Sequence, residues 1–357
     1  MTLARELADT AGRPQVDKNL LINGGMNVWQ RSTSASVSTD TYATVDRFAI
    51  GVGGMGVFTS SRSTDVPSGQ GFGYSTKWDC TTADASPAAG DYIIFPQRLE
   101  GQNLQHLLKG TSSAKAVTVS FWIKSNKTGT YILELIDADN ARNISKSYTI
   151  DTANTWEKKE IVFEGDQTGV LDNDNAHSLR CQWWFGAGST FSSGTLQTSW
   201  ATGVNANRAV GQVNLADSTS NELYITGCQL EIGEAATDFQ FEPYESVLRK
   251  CQRYFYAHEF NTQEWIYNES ATSTSKWLQT YFPNEMRASS GSMTLSSGMT
   301  GGGVSGLSGT VSNLSIISFS PNRASIRVTM SASSGTARAM YHCDTFDGDF
   351  AYFDMEL

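Results

Sequence analysis

The hydrophobic pattern of the sequence changes its period once, between residues 222 and 257, and this change constrains the fold most. Up to Ile232 the side chains alternate with period two, which predicts a β-strand packed on at least one face. Beyond Pro243, a residue suited to a helix start, apolar side chains follow a helical spacing at Val247, Leu248, Cys251 and Phe255. We therefore predict a β-domain over 19–243, a crossover helix over 244–256 and a small C-terminal β-domain over 257–357.

Short strands separated by turns fill the region before this change. The clearest strand is 116–124, in which Val117, Val119 and Phe121 alternate with Thr118 and Ser120. The chain has 32 glycines and only 7 prolines, and with many serines and threonines this composition favours numerous short strands over helices. Turns recur roughly every ten residues, which predicts an all-β fold with an antiparallel β-sandwich as the first domain.

Charge and cysteine usage exclude several classes of protein. The net charge is −10, and an acidic surface repels phosphate backbones, so we expect no nucleic-acid partner. No run approaches the roughly 18 apolar residues of a membrane span, and the N-terminus lacks the apolar core of a secretory signal, so we expect no membrane insertion. The five cysteines are widely spaced without a C-x-x-C pair. This spacing favours reduced core thiols in a chain folded in a cytoplasm over a disulfide framework.

Two regions of the sequence predict contacts with other chains. Residues 1–18 begin with a short stretch that places Leu3, Leu7 and Ala11 on one helical face. Such a short helix is marginal in water, so it is either a frayed cap or a docking or trimerising helix. The roughly 100 residues of the C-terminal domain are also a marginal core for a monomer, and oligomerisation would relieve this.

Aromatic side chains beside hydrogen-bonding groups are the candidate sugar contacts. In the strand 179–185, Arg180, Gln182 and Trp184 share the face opposite Trp183, and a flat indole beside an amide and a guanidinium suits sugar recognition. The interpretation favoured for Trp184 itself is that a neighbouring loop or a second protomer covers it. Burial is the favoured interpretation for Trp122. Trp200 lies in a Ser/Thr/Gly-rich stretch and is a more direct candidate for a ligand contact.

The C-terminal domain offers a second set of candidate sugar contacts. Trp265 and Tyr267 are set among acidic residues, and the same applies to Tyr341 and His342. An acidic and aromatic surface of this kind suits sugar hydroxyls. It equally suits the contact surface of a trimer, which is the interpretation favoured by a small margin.

Metal and catalytic sites find little support in the sequence. The run 172–175 (DNDN) clusters oxygen ligands, but it lacks the glycine and the glutamate of an EF-hand, so an asparagine-rich turn is favoured. We predict no cofactor, and a structural calcium ion elsewhere stays open. Glu134, Glu157 and Glu160 stand isolated and are interpreted as surface charges. We therefore predict no catalytic residues and no enzyme activity.

An ordered series of motifs spans almost the whole chain. The longest are 19–24 (NLLING), 119–125 (VSFWIKS), 225–233 (ITGCQLEIG) and 282–287 (FPNEMR). Shorter ones are 1–5 (MTLAR), 28–31 (VWQR), 46–48 (DRF), 156–159 (WEKK), 173–175 (NDN), 251–254 (CQRY) and 355–357 (MEL). Each motif alone is weak, but the ordered set is specific, and it resembles the tail-fibre and receptor-binding proteins of phages of marine and freshwater bacteria.

This resemblance implies both an architecture and a function. The first domain would be a jelly roll similar to carbohydrate-binding modules, and the chain would form a homotrimeric virion appendage assembled in the host cytoplasm. It would bind host surface polysaccharide or lipopolysaccharide, and residues 1–18 would attach it to other tail proteins. The alternatives are a structural virion part such as a collar, baseplate or head decoration, or a tailspike that degrades polysaccharide. The family's receptor loops vary, so the resemblance assigns no binding residue.

Overall fold

The computed structural model describes residues 19–259, 265–268, 275–288, 292–295, 311–330, 339–342 and 350–356. These residues form two compact units, and each is a separate body of β-structure. The first unit contains the described residues up to Asn27 together with Ser32–Glu242. The second contains Val28–Arg31 and the described residues from Pro243 onward. The short segment Val28–Arg31 thus belongs to the second unit although it lies far from it in sequence.

Two antiparallel six-stranded sheets make up the first unit as described. The first sheet has the order β1-β3-β4-β12-β6-β9, formed by Ser34–Val37, Val57–Ser63, Ser75–Thr82, Glu222–Ile232, Val117–Ser125 and Glu157–Phe163. The second has the order β11-β8-β7-β10-β5-β2, formed by Ala201–Thr202, Arg142–Ile150, Gly129–Asp137, His177–Ala187, Tyr92–Glu100 and Gly51–Gly53. Successive strands from β4 to β7 and from β8 to β10 pass between the two sheets, as in a jelly roll.

Large aromatic side chains fill the space between the two sheets. Trp78 of the first sheet meets Phe95 and Phe185 of the second, with ring centroids 5.7 and 5.2 Å apart. Phe121 meets Trp183 in the same way at 5.5 Å. All five side chains are fully buried, and each stabilises the fold by about 2–3 kcal/mol through removal of apolar surface from water. The prediction of an all-β antiparallel jelly-roll sandwich is confirmed.

The predicted crossover helix exists, but it is shorter than predicted. The helix α2 spans Tyr244–Gln252, after a single-turn helix α1 at Ser189–Ser192 in the first unit. Strand β13, Phe255–Glu259, begins inside the predicted helical range because its backbone pairs with β20, Phe350–Asp354. Tertiary pairing therefore overrides the helical spacing of Phe255. Among the described residues, neither α-helix is long and apolar enough to cross a membrane.

The second unit as described contains a three-stranded and a five-stranded antiparallel sheet. The smaller has the order β13-β20-β16, with β16 at Ser292–Leu295. The larger has the order β17-β18-β15-β14-β19, formed by Val311–Ser320, Arg323–Met330, Ser275–Tyr281, Trp265–Asn268 and Ala339–His342. Arg31 is held against the smaller sheet, because its guanidinium lies 3.7 Å from the ring centroid of Phe255 and 2.9 Å from the carboxylate of Asp354. It also lies 3.5 Å from Glu356.

Four cysteines fall within the described residues, and all are buried free thiols. They are Cys80, Cys181, Cys228 and Cys251. Burial raises the pKa of Cys181 and of Cys228, so these thiols stay protonated and behave as small apolar side chains. The prediction of reduced core cysteines is confirmed for these four.

Candidate functional site

The central strand β10 carries three of the predicted sugar-contact residues on one face. Trp183 points into the sandwich core, so its alternate neighbours Arg180, Gln182 and Trp184 lie on the outer face of the second sheet. Arg180 is paired with Arg98 of β5 on one side. Gln182 is paired with Glu134 of β7 on the other. The face predicted from alternation is therefore the face that the structure forms.

The ring of Trp184 is not exposed. Only 1% of the residue is accessible, since Phe191 packs on it with ring centroids 5.3 Å apart and Arg208 lies 5.2 Å from its ring centroid. Both covering residues belong to the segment 188–212, which is held to the sheet partly by Ala209 in the same apolar cluster. The favoured interpretation, burial beneath a loop, describes Trp184. Its ring offers no stacking surface for a sugar, which corrects its place among the candidate sugar contacts.

Glu134 is the centre of the hydrogen bonding on this face, which corrects its interpretation as a surface charge. The residue is 0% exposed. Arg208 binds it with two nitrogens at 2.9 and 3.1 Å, and the Trp184 indole donates to it at 2.9 Å. Asn143 and Gln182 donate two further hydrogen bonds at 2.9 and 3.3 Å. A carboxylate has about four lone-pair sites, so Glu134 is saturated.

Arg180 and Gln182 keep hydrogen-bonding atoms that no described residue satisfies. The Nε of Arg180 and the Oε1 of Gln182 are both buried without a partner, and no hydrogen bond or ion pair to the guanidinium of Arg180 occurs in the described part of the chain. Gln182 is 0% exposed. Buried polar atoms are nearly always paired, so these two atoms on a single face retain hydrogen-bonding capacity that the described residues do not use. We call Tyr42, Arg98, Glu134, Arg180, Gln182 and Arg208 the arginine face.

Cations dominate the electrostatics around Arg180. Burial lowers the pKa of Arg180 to about 10, Glu134 opposes this effect, and the neighbouring Arg208 and Arg98 add to it. The group still carries its charge at neutral pH. Burial also lowers the pKa of His177 to about 4, with Arg180 and Arg98 contributing, so that imidazole is neutral at pH 7. Its Nε2 is a third buried atom without a described partner.

Sequence reasoning did not identify four members of the arginine face as site residues. Arg98 donates a hydrogen bond of 3.0 Å to the hydroxyl of Tyr42, and its guanidinium lies 5.9 Å from the centroid of that half-buried ring. Arg208 pairs with Glu134. For Glu134 the signal was present, because a glutamate between Ile132 and Ile136 in a buried strand requires a cationic partner. Nothing local points to Tyr42, which joins the face only through the fold.

The structure places Trp200 in a different network. Its indole donates 2.8 Å to the carbonyl of Glu164, and the ammonium of Lys109 lies 4.7 Å from its ring centroid. Lys109 also pairs with Asp137 and Asp166, and Arg142 pairs with Asp166 at 2.7 Å. We call Lys109, Asp137, Arg142 and Asp166 the lysine network. Because one face of the Trp200 ring is occupied there, a ligand would have to use the other, and that contact stays a prediction.

Asp166 is the most strongly perturbed carboxylate of the lysine network. Its burial would raise its pKa, but hydrogen bonds from Arg142, Lys109 and the backbone of Thr168 outweigh this and lower the pKa to about 2. Asp137 receives Lys109 and three hydrogen bonds from Asn140. Two cations and two carboxylates thus balance each other in one buried cluster.

The remaining predicted sites are exposed or lie outside the described residues. The run 172–175 is an exposed turn, in which the backbone of Ala176 donates to Asp174 at 2.9 Å. Within the described residues no cluster of three or more His, Cys, Asp or Glu side chains is arranged to hold a metal ion. The backbones of Trp265 and Tyr267 lie in β14. Their side chains and the predicted attachment segment 1–18 lie outside the described residues, so these assignments stay predictions. Trp122 is partly buried on the outer face of the first sheet.

Comparison with known proteins gives matches at the level of structure. No protein-family model matches the sequence, and no curated protein matches it. Among solved structures, the enzymatically active domain of bacteriophage CBA120 tailspike protein 4 is similar at a TM-score of 0.32 and 15% identity. That match covers 60% of this chain and 22% of the tailspike chain, so the protein spans about a fifth of that structure's length.

Two further similar structures are of about the length of the matched region. A putative sugar binding protein from Bacteroides thetaiotaomicron matches with a TM-score of 0.35 and 12% identity, over 60% of this chain and 100% of that one. TmCBM61, solved in complex with beta-1,4-galactotriose, matches with a TM-score of 0.30 and 11% identity. It covers 61% of this chain and 100% of its own.

Proposed function

We propose that the protein is a non-catalytic glycan-binding protein and that the arginine face contacts the sugar. The observation that carries the proposal is the guanidinium of Arg180, which has no hydrogen-bond or ion-pair partner among the described residues, beside the partly exposed ring of Tyr42. Sugars are bound by a few such groups, which pair with hydroxyls, and by an aromatic ring, which packs on the apolar C–H surface. The outer face of a rigid sheet holds these groups in fixed positions.

The saturation of Glu134 supports the non-catalytic part of the proposal. A glycosidase uses two carboxyl groups about 5–10 Å apart, of which one must donate or accept a proton. Glu134 accepts five hydrogen bonds, so no lone pair remains for a proton or for a sugar carbon. We expect no reducing ends to be released from bound polysaccharide.

We extend the proposal to a homotrimeric phage tail fibre that attaches the virion to surface polysaccharide or lipopolysaccharide of its host. The ordered motifs described above support this extension, and residues 1–18 would join the fibre to other tail proteins. Three weak sites on one fibre would act together through avidity. Light scattering on a sizing column should give about three times 38.9 kDa. A mass of one chain would exclude the trimeric fibre and leave glycan binding to be tested alone.

A matched pair of aromatic variants tests the binding face. Tyr42→Ala should weaken binding to immobilised polysaccharide about 3- to 10-fold, because it removes the ring that would pack on the sugar. Trp156→Ala is the control, since Trp156 packs near Tyr224 on the other sheet and should bind as the unmodified protein does. Biolayer interferometry on a panel of neutral and acidic polysaccharides measures both. Equal binding by both variants would move the site away from the arginine face.

A further inference from the structure

Arg180 has no carboxylate opposite it on either neighbouring strand. Its strand neighbours in the same row are Arg98 and Ile136. The acid that acts on it electrostatically is Glu134, two residues along the neighbouring strand, and that acid is held by two nitrogens of Arg208. The guanidinium therefore lies beside a carboxylate that is already fully used.

The local excess of positive charge contrasts with the protein as a whole. The chain has a net charge of −10, yet the charged groups that act on Arg180 are two guanidinium groups and one carboxylate. Burying part of an unpaired cation is costly, and a second cation nearby adds to the cost. A bound anion would offset this cost, because a guanidinium group binds a planar carboxylate with two parallel hydrogen bonds.

Gln182 lies beneath the accessible part of the arginine face. Its Nε2 donates to Glu134, and the residue has no exposed surface. A ligand on the outer face therefore meets Arg180 and the partly exposed ring of Tyr42 rather than this amide.

We propose that the arginine face selects an acidic sugar, with Arg180 binding its carboxylate. This inference rests on the proposed glycan-binding function and narrows its ligand to polysaccharides that contain uronic or related carboxylate sugars. Tyr42 packs against the ring of that sugar, and Arg98 adds attraction without direct pairing. The repeated carboxylates of an acidic polysaccharide then supply one anion to each site of an oligomer.

The test uses the full chain and four probes: polygalacturonate, dextran sulfate, dextran and a neutral galactan. Polygalacturonate should bind, and Arg180→Gln should weaken that binding about 10- to 100-fold, as expected for loss of a charge-assisted hydrogen bond. Arg180→Lys should lose most of the same affinity because it keeps the charge but not the fork. The control is Arg62→Gln, which removes an exposed arginine packed on Tyr74 in the other sheet and should change nothing.

A spectroscopic readout keeps the test independent of the polysaccharide chosen. In protein labelled with ¹⁵N-arginine, the Nε–H signal of Arg180 is assigned as the one that is missing from the spectrum of Arg180→Lys. In the unmodified protein this signal should shift on titration with D-glucuronate and stay in place with D-glucose. Arg180→Gln should retain the thermal unfolding midpoint of the unmodified protein, because no described partner is lost. A shift with D-glucose of equal size would overturn selection for the carboxylate.

Other results would overturn the inference in distinguishable ways. Tight binding to dextran or galactan that is unaffected by Arg180→Gln would exclude an acidic sugar as the ligand of this site. It would leave the proposed glycan binding in place. A preference for dextran sulfate would assign the site to sulfate esters. A change in the oligomer mass of Arg180→Gln without a change in binding would make Arg180 a protomer contact. Binding to none of the four probes would remove both the inference and the proposed function.

Discussion

The arginine face and the lysine network share strand β7 but differ in how their charges are paired. Glu134 and Asp137 both lie on β7 with no exposed surface. Glu134 accepts a hydrogen bond from Asn143 of β8, while Asp137 pairs with Lys109. In the lysine network two cations meet two carboxylates, and each carboxylate accepts several hydrogen bonds. On the arginine face one carboxylate is saturated, while Arg180 beside it has no described partner.

The difference shows how polar groups on one sheet divide between stability and recognition. A network in which every buried charge is paired, such as the lysine network, stabilises the folded state. A network with an unpaired buried charge, such as the arginine face, lowers stability until a ligand pairs with that charge, and this cost is typical of binding sites. Variants in the two places should therefore have opposite consequences.

The largest effect should follow from opening the closed network. Asp166→Ala leaves Lys109 and Arg142 with only Asp137 between them, and removing one partner of a buried ion pair costs about 3–5 kcal/mol. Urea unfolding followed by tryptophan fluorescence measures the loss. The control Asp65→Ala removes a more exposed partner of Lys124, and it should cost under about 1 kcal/mol. Equal losses for the two variants would mean that the lysine network contributes no more than a surface pair.

An intermediate effect should come from acid titration of His177 beside the arginine face. Its pKa is about 4 in the folded protein against 6.5 ordinarily, so the unfolded chain binds the proton first. The contribution of His177 to the free energy of unfolding is therefore fully present above about pH 6.5 and is lost as the pH falls towards 4. The loss is about 2 kcal/mol, because this ring is partly exposed. Urea unfolding at pH 7 and pH 4.5 measures it. His177→Asn should show a smaller loss over the same interval, and an unchanged loss would assign the pH dependence to other groups.

The smallest effect should be a gain. Arg180→Met keeps the length and the apolar stem of the side chain while removing an unpaired, partly buried charge, so stability should stay equal or rise by up to about 1 kcal/mol. Arg142→Met makes the same chemical change in the lysine network, where it leaves Asp166 without one cation, and it should be clearly destabilising. Thermal unfolding of both variants compares them. Similar losses in the two would show that Arg180 has a structural partner.

Local pattern was sufficient to predict the fold but only part of the site. The strand predicted at 116–124 is β6, Val117–Ser125, because alternating β-branched and aromatic side chains leave little choice of structure. The same alternation placed Arg180, Gln182 and Trp184 on one face. It could not predict that Trp184 is covered, since Phe191 and Arg208 come from a segment rich in serine and glycine whose docking depends on the completed sheet. The period of the sequence predicts which face of the sheet a residue occupies. Only the tertiary structure determines which side chains cover that residue.

The helix boundary shows the same division between local and distant information. The spacing from Val247 to Phe255 continues as a helix in sequence, yet Phe255 is drawn into a strand by residues almost a hundred positions later. No window of sequence around 255 contains that partner. Glu134 differs, because its position between Ile132 and Ile136 was a local signal of burial, and its interpretation as a surface charge was wrong. Its partner Arg208 lies 74 residues later, outside any local window.

The position of Val28–Arg31 in the second unit has a consequence for synthesis of the protein. Arg31 leaves the ribosome early, but Phe255, Asp354 and Glu356 are made more than two hundred residues later. Arg31 therefore cannot make these contacts until the whole sandwich has been translated. A chain that stops before residue 350 lacks β20 and both carboxylates, so it lacks the ion pairs of Arg31 with Asp354 and Glu356. These two ion pairs therefore form only after residue 356 has been translated.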